Sequence, residues 1–211
     1  MPSSNPRPRS GTGPLRLAAA AALGYACGLL PSASLASRAA TGGRVDLRQA
    51  GSGNPGATNA AAQLGTGWGV AVLAGDLLKG VVASRAGLRV AGPAGGYAAG
   101  AASMAGHIFP ITTGFQGGKG VATSAGASLV LFPAYFPIDA VVAALSAART
   151  ANADRAIVIS SAIWTGAALV WWRARLPNAW GPAPTVGLPL FASAGAGLML
   201  TRLQLNRRRT A

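Results

Sequence analysis

The run WGVAVLAGDLLKGVVASRAGLRV, Trp68–Val90, decides the fold. It is long enough to cross a bilayer as one α-helix, which takes about 20 mostly apolar residues. Asp76 and Lys79 nevertheless lie inside it, spaced i, i+3 and therefore on one helix face. Ionisable groups are costly in lipid and normally pair or face a polar cavity, so a structural ion pair and a site role both stand open for these two. Working outward, apolar runs follow at Pro93–Ile111, Val121–Tyr135, Pro137–Ala148, Ala153–Trp172 and Val186–Leu205, and one precedes at Leu15–Ala40. The pattern predicts an all-α, polytopic membrane helix bundle of about seven transmembrane helices. The Val121–Tyr135 and Pro137–Ala148 runs are short for spans, and Phe132-Pro133 and Phe136-Pro137 punctuate that region, which fits a kinked or re-entrant pair. The 30 glycines, mixed with alanine, allow close helix–helix approach in lipid.

Composition agrees. Of 211 residues 51% are apolar and 10% charged, with a mean hydropathy of +0.39. Soluble domains carry about 25% charged residues. There are four Asp and no Glu, and the net charge is +14. One Cys excludes a disulfide scaffold or a Cys-based zinc site, and one His excludes a His cluster, so neither metal nor cofactor is expected. Nucleic acid is not the partner that this basicity implies: the cations sit singly or in small groups between apolar runs, as membrane-flanking anchors do.

Residues 1–14 read as a disordered basic leader, 15–205 as a single integral membrane domain, and 206–211 as a basic cytoplasmic tail. Leu15–Ala40 has the layout of a signal peptide, but further spans follow it, so it reads as a retained first helix. Gly24-Tyr25-Ala26 ahead of Cys27 is a poor match to a lipoprotein cleavage site. With the N-terminus outside, the inner side holds Arg38, Arg44, Arg48, Lys119, Arg149, Arg155, Arg202 and Arg207–Arg209, against seven arginines outside. That is the positive-inside sign, although the basic leader opposes it.

Two Gly-rich loops are the candidates for chemistry, set against the plainer reading of Gly-rich turns between helices. Gly51–Asn59, GSGNPGATN, has the makings of a nest whose backbone N–H groups turn inward and open onto a helix, a phosphate site that needs no charged side chain. Ser52, Thr58, Asn54 and Asn59 would add donors. The glycines also spell GxGxxG with Asp76 beyond, but a dinucleotide fingerprint requires a preceding strand and a soluble βαβ unit. The second loop, Gly114–Ser124, fails as a Walker A loop because Gly120 stands where Ser or Thr would bind magnesium. It offers Lys119, one of two lysines in the chain, among Gly117, Gly118 and Gly120. His107, alone, reads as an interfacial histidine hydrogen-bonded to backbone.

Arg48–Asn59 (RQAGSGNPGATN), Asp76–Gly80 (DLLKG) and Gly106–Thr123 (GHIFPITTGFQGGKGVAT) together resemble the bacterial membrane acyl-phosphate:glycerol-3-phosphate acyltransferases. The resemblance implies a seven-helix enzyme of the plasma membrane, its active site facing the cytoplasm. Its substrates would be acyl phosphate and glycerol 3-phosphate, its product lysophosphatidic acid, and its setting phospholipid biosynthesis in the lipid bilayer. The Gly51–Asn59 loop would hold the acyl-phosphate phosphate, and Lys119 would help hold glycerol 3-phosphate. Lys119 and Ser52 are the catalytic candidates. The substrate-binding set is Gly51, Ser52, Gly53, Asn54, Gly56, Thr58, Asn59, Gly117, Gly118, Lys119 and Ser161, with Asp76, Lys79 and His107 in support. The chain departs from the family pattern at Ala62 (Arg expected), Val158 (Ser), Thr201 (His) and Gln204 (Asn), while Arg155 and Ser161 match. Those departures leave an alternative from another class, a diverged non-catalytic or transport-type membrane protein retaining the phosphate loop. Acyl chain length and oligomeric state are not encoded in any motif here.

Overall fold

The computed structural model describes residues 13–149 and 152–210, so all but the end of the basic leader lies outside it. Every regular element among the described residues is helical. Helix α1 (Pro14–Gly28) and helix α2 (Ser32–Thr41) replace the single first helix expected over Leu15–Ala40. Pro31 explains the break: it has no N–H to donate, and its ring excludes the carbonyl one turn earlier. A short α3 (Ala57–Leu64) follows the first Gly-rich loop.

Helix α4 (Thr66–Ile108) is a hairpin of two limbs, because Ala91 and Gly92 leave helical geometry and Gly92 adopts φ +60°. The limbs are antiparallel: Gly87 packs on Gly95 and Ala99, and Lys79 reaches His107. The two apolar runs, Trp68–Val90 and Pro93–Ile111, therefore correspond to the two limbs. Glycine permits the tight approach. A methyl group at Gly87 would strike the Gly95 carbonyl, and one at Gly24 of α1 the Ala99 carbonyl.

Helix α5 (Val121–Leu131) packs against the first limb through Gly80 and Gly126, then bends by 117° at Phe132 into Pro133–Asp139, the start of α6 (Phe136–Arg149). Phe132 and Pro133 thus do break the chain as the sequence implies. Helix α7 (Ala153–Arg173) packs on α8 (Gly187–Thr210), with Trp164 edge-on to Phe191 at 5.2 Å. Helix α8 runs on past Leu205 to Thr210, so the stretch expected as a tail continues the helix. Pro14–Thr41, Thr66–Thr113 and Ala153–Arg173 are long and apolar enough to cross a membrane, and the bent pair adds a fourth candidate. Outward-facing Leu15, Val70 and Leu190 are 82%, 59% and 63% exposed, a surface that suits lipid.

Long-range bonds sort the connections into two ends. At one end Asn178 donates to the Leu131 carbonyl and Trp180 to the Leu129 carbonyl. At the other, both Gly-rich loops, the start of α7 and the C-terminal part of α8 converge.

Candidate active site

The first loop is ordered by its own polar groups. Gly51 and Gly53 take φ +59° and +68°, a region closed to most side chains. Asn59, buried in the first turn of α3, donates from Nδ2 to the Leu47 and Ala50 carbonyls and accepts the Ser52 amide on Oδ1 at 3.1 Å. The Gly53 amide donates to Ala50 and the Gly56 amide to Asn54. Asn59 is therefore occupied in holding the loop, and three amides of the nest are used internally. The Ala57, Thr58 and Asn59 amides open α3, where no preceding turn accepts them and Gly56 supplies no side-chain cap. The Ser52 and Thr58 side chains are exposed beside them, and the Asn54 Oδ1 is buried without a hydrogen-bond partner.

The second loop is held from three sides. From below, the Gly117 and Gly118 amides donate to the Ile108 and His107 carbonyls, each at 3.2 Å, and Gly118 lies directly on the His107 ring. From the side, the buried Arg202 of α8 donates through Nη2 to the Gly117 carbonyl at 2.8 Å and through Nη1 to the Phe115 carbonyl at 3.2 Å. Phe115 takes φ +63°, an uncommon conformation for a non-glycine residue, and that guanidinium contact helps fix it. From across the site, Arg48, just ahead of the first loop, donates through Nε to the Gln116 carbonyl at 3.2 Å. Its Nη1 binds Asp46 and its Nη2 the Ser34 hydroxyl.

Beneath this junction lies a cleft lined by Ser34, Arg48, Asp76, Lys79, His107 and Gly118, among others. Lys79 Nζ stands 2.7 Å from Asp76 Oδ1 and 3.4 Å from His107 Nδ1, and all three residues are buried. The i, i+3 face expected for Asp76 and Lys79 is an ion pair at the cleft floor. His107 corrects the sequence expectation. Its ring faces Lys79 and Asp76, because the hairpin brings the second limb alongside the first.

The cleft gathers Asp76, Lys79, His107, Gly117 and Gly118; Ser52, Lys119 and Ser161 lie outside its lining. Lys119 instead pairs with Asp154 at the start of α7, Nζ to Oδ1 at 2.7 Å. Ser161 is buried on the face of α7 turned to α8, its Oγ without a hydrogen-bond partner. Ala62, Val158, Thr201 and Gln204 are all outward-facing, with Val158 44% exposed. Arg48, Arg202, Ser34 and Asp154 are structural finds. By sequence Arg48 and Arg202 are inner-side cations, Arg48 also opening the RQAGSGNPGATN block, and nothing local marks Ser34 or Asp154. No group of His, Cys, Asp and Glu among the described residues has the arrangement of a metal site.

Residues 18–211 match the family described as glycerol-3-phosphate acyltransferase. The chain belongs to that family. A relative of that name from Desulforudis audaxviator is 40% identical over 139 residues, covering 66% of this chain and 69% of that protein. One from Methylorubrum populi is 36% identical over 180 residues, covering 77% and 87%. The match to the Bacillus subtilis protein is 42% identical over 114 residues, 54% of this chain and 58% of the relative, so the chain spans little more than half the length of several curated relatives. The crystal structure of PlsY, an integral membrane glycerol 3-phosphate acyltransferase, in its glycerol 3-phosphate form superposes with a TM-score of 0.72. The two chains are 29% identical, and the match covers 91% of this chain and 92% of that one. An integral membrane neighbour and the apolar helices together make this a membrane protein of the acyltransferase family.

Proposed function

We propose that this chain transfers a fatty acyl group from acyl phosphate to the sn-1 hydroxyl of glycerol 3-phosphate, giving lysophosphatidic acid. The observation that carries the reading is the junction at Arg48, where the segment leading into the first Gly-rich loop binds the second through the Gln116 carbonyl. Two phosphate-bearing substrates, one on each loop, would lie side by side there.

The acyl phosphate's phosphate belongs at the start of α3, on the Ala57–Asn59 amides with Ser52 and Thr58 beside them. The acceptor's phosphate belongs with Lys119 and the Gly117–Gly118 backbone. The acceptor oxygen attacks the acyl carbonyl carbon, the carbon–oxygen bond to phosphate breaks, and the hydroxyl proton leaves with the phosphate. Phosphate is a good leaving group, so no protein nucleophile is required. The protein's contribution is orientation and charge stabilisation by amides and cations. Asp76, Lys79 and His107 support the loop from beneath.

In this reading residues 15–205 form one membrane domain of seven spans in a bacterial plasma membrane. The two loops and the 206–211 tail lie on the cytoplasmic side, where soluble glycerol 3-phosphate is at hand. The test is acyl transfer by the purified full chain from a long-chain acyl phosphate, with and without glycerol 3-phosphate. Lysophosphatidic acid formed only when the acceptor is present is the expected result. Phosphate release of equal rate without the acceptor refutes it.

A further inference from the structure

Asp154 stands where an anion would reach Lys119. The ammonium and the carboxylate meet at 2.7 Å, and both side chains are 25% exposed, so the pair sits at the mouth of the loop region with water at its edge. The carboxylate lies in the first turn of α7, where its charge also suits the helix dipole, but it does not serve as the cap. The N-cap of α7 is Asn152, whose Oδ1 accepts the Asp154 and Arg155 amides at 2.9 and 3.3 Å. The backbone of Asp154 is thereby anchored while its side chain reaches 35 residues back along the chain to the second loop. Lys119 in turn lies between Gly118 and Gly120, the latter at φ +88°, so neither chain neighbour places a side chain beside it.

We propose that Asp154 is a place-holder for the substrate phosphate, binding Lys119 in the empty site and surrendering it when glycerol 3-phosphate enters. The proposal rests on the reading that Lys119 takes the acceptor phosphate. A phosphate dianion presents more charge and more acceptor oxygens than a single carboxylate, so it displaces the carboxylate from a shared ammonium. Asp154 then swings into water, a short movement for a side chain already one-quarter exposed. While the site is empty the pair keeps Lys119 extended toward α7 and weakens its attraction for other anions. Asp154 thus sets acceptor affinity through competition. It is a specificity-determining residue that touches the substrate's partner and not the substrate.

Competition and support predict opposite signs. Asp154→Asn keeps the side chain's shape and removes its charge. Competition predicts that the KM for glycerol 3-phosphate falls about fivefold, the scale of a partly exposed ion pair, and that kcat is not reduced. A merely supportive pair predicts a KM that stays or rises. Steady-state kinetics of the folded, purified full chain would be run with calorimetric titration of glycerol 3-phosphate into wild type, Asp154→Asn, Lys119→Ala and the double variant. The expected result is tighter acceptor binding in Asp154→Asn that vanishes in the Lys119→Ala background. An Asp154→Asn variant that binds the acceptor no more tightly overturns the place-holder, as does a Lys119→Ala variant that binds it as well as wild type. Wild-type protein that binds glycerol 3-phosphate without acyl transfer would instead defeat the functional reading, while the binding comparison still decides the exchange.

Discussion

Replacing Lys79 by methionine removes the cation from the most enclosed ion pair in the described structure. Lys79 and Asp76 are each 4% exposed and meet at 2.7 Å. Without the ammonium, the Asp76 carboxylate stays buried at the cleft floor without its cation, the His107 ring beside it at 3.6 Å. Breaking one side of such a pair costs about 3–5 kcal/mol, whereas exchanging both partners for apolar groups of similar volume is often nearly neutral. Lys79→Met alone should therefore lower the unfolding midpoint by roughly 6–20 °C, at about 2–4 °C per kcal/mol for a chain of this size. Asp76→Leu combined with Lys79→Met should return most of that loss. Activity should not return with it, because His107, which carries the Gly118 amide on its carbonyl and the Gly118 backbone on its ring, has lost the neighbours that fix it. The assay is thermal unfolding in detergent alongside acyl transfer per folded molecule. A single variant no less stable than the double would refute the electrostatic argument. A double variant restored in both stability and turnover would reduce the pair to scaffolding.

Lys119→Ala should cut transfer efficiency about tenfold to a hundredfold, the worth of one charge-assisted contact of about 1.5–3 kcal/mol. Lys119→Arg should recover only part of it, because a planar fork does not replace a compact ammonium, and kinetics on folded variants would separate the two. Gly53→Val forces a side chain into φ +68° with its Cβ 3.3 Å from the Arg48 carbonyl, so acyl transfer should be abolished in protein that still elutes as a folded species. Arg202→Leu should raise the KM for glycerol 3-phosphate about tenfold by freeing the Phe115 and Gly117 carbonyls, with Arg202→Lys restoring less than half because a single nitrogen does not span the two carbonyls as the Nη1–Nη2 fork does. An unchanged KM in Arg202→Leu would remove α8 from the control of that loop.

What the sequence disclosed and what it withheld divide by distance along the chain. The two limbs of α4 were legible because Gly92 and Pro93 punctuate the apolar run locally. The shared face of Asp76 and Lys79 was legible because i, i+3 spacing is a property of one helix. The break at Pro31 lay inside a run whose hydropathy continues past it, and α3 is eight residues long within a polar linker, so neither stood out. The cross-connections of the site had no local signature at all. Arg48 finds Gln116 across 68 residues, Arg202 finds Gly117 across 85, and Lys119 finds Asp154 across 35.

The scarcity of acid was visible from composition, but its allocation was not. Of four carboxylates in a chain with net charge +14, Asp46 binds Arg48, Asp76 binds Lys79 and Asp154 binds Lys119. These three cations hold the loop junction, the cleft floor and the mouth of the second loop. With so many other arginines to neutralise, counter-ions placed at random would rarely fall on all three. The carboxylates serve a more specific end than charge balance: each holds one cation in place around the two Gly-rich loops. The three pairs differ in how firmly they do it. Asp76 is sealed in and cannot leave Lys79 without stranding a charge, so that pair is architecture. Asp154 is part-exposed and its helix is capped by another residue, so that pair can open. The same chemistry, placed at two depths, thus gives one contact that builds the site and one that, in the proposed exchange, substrate opens.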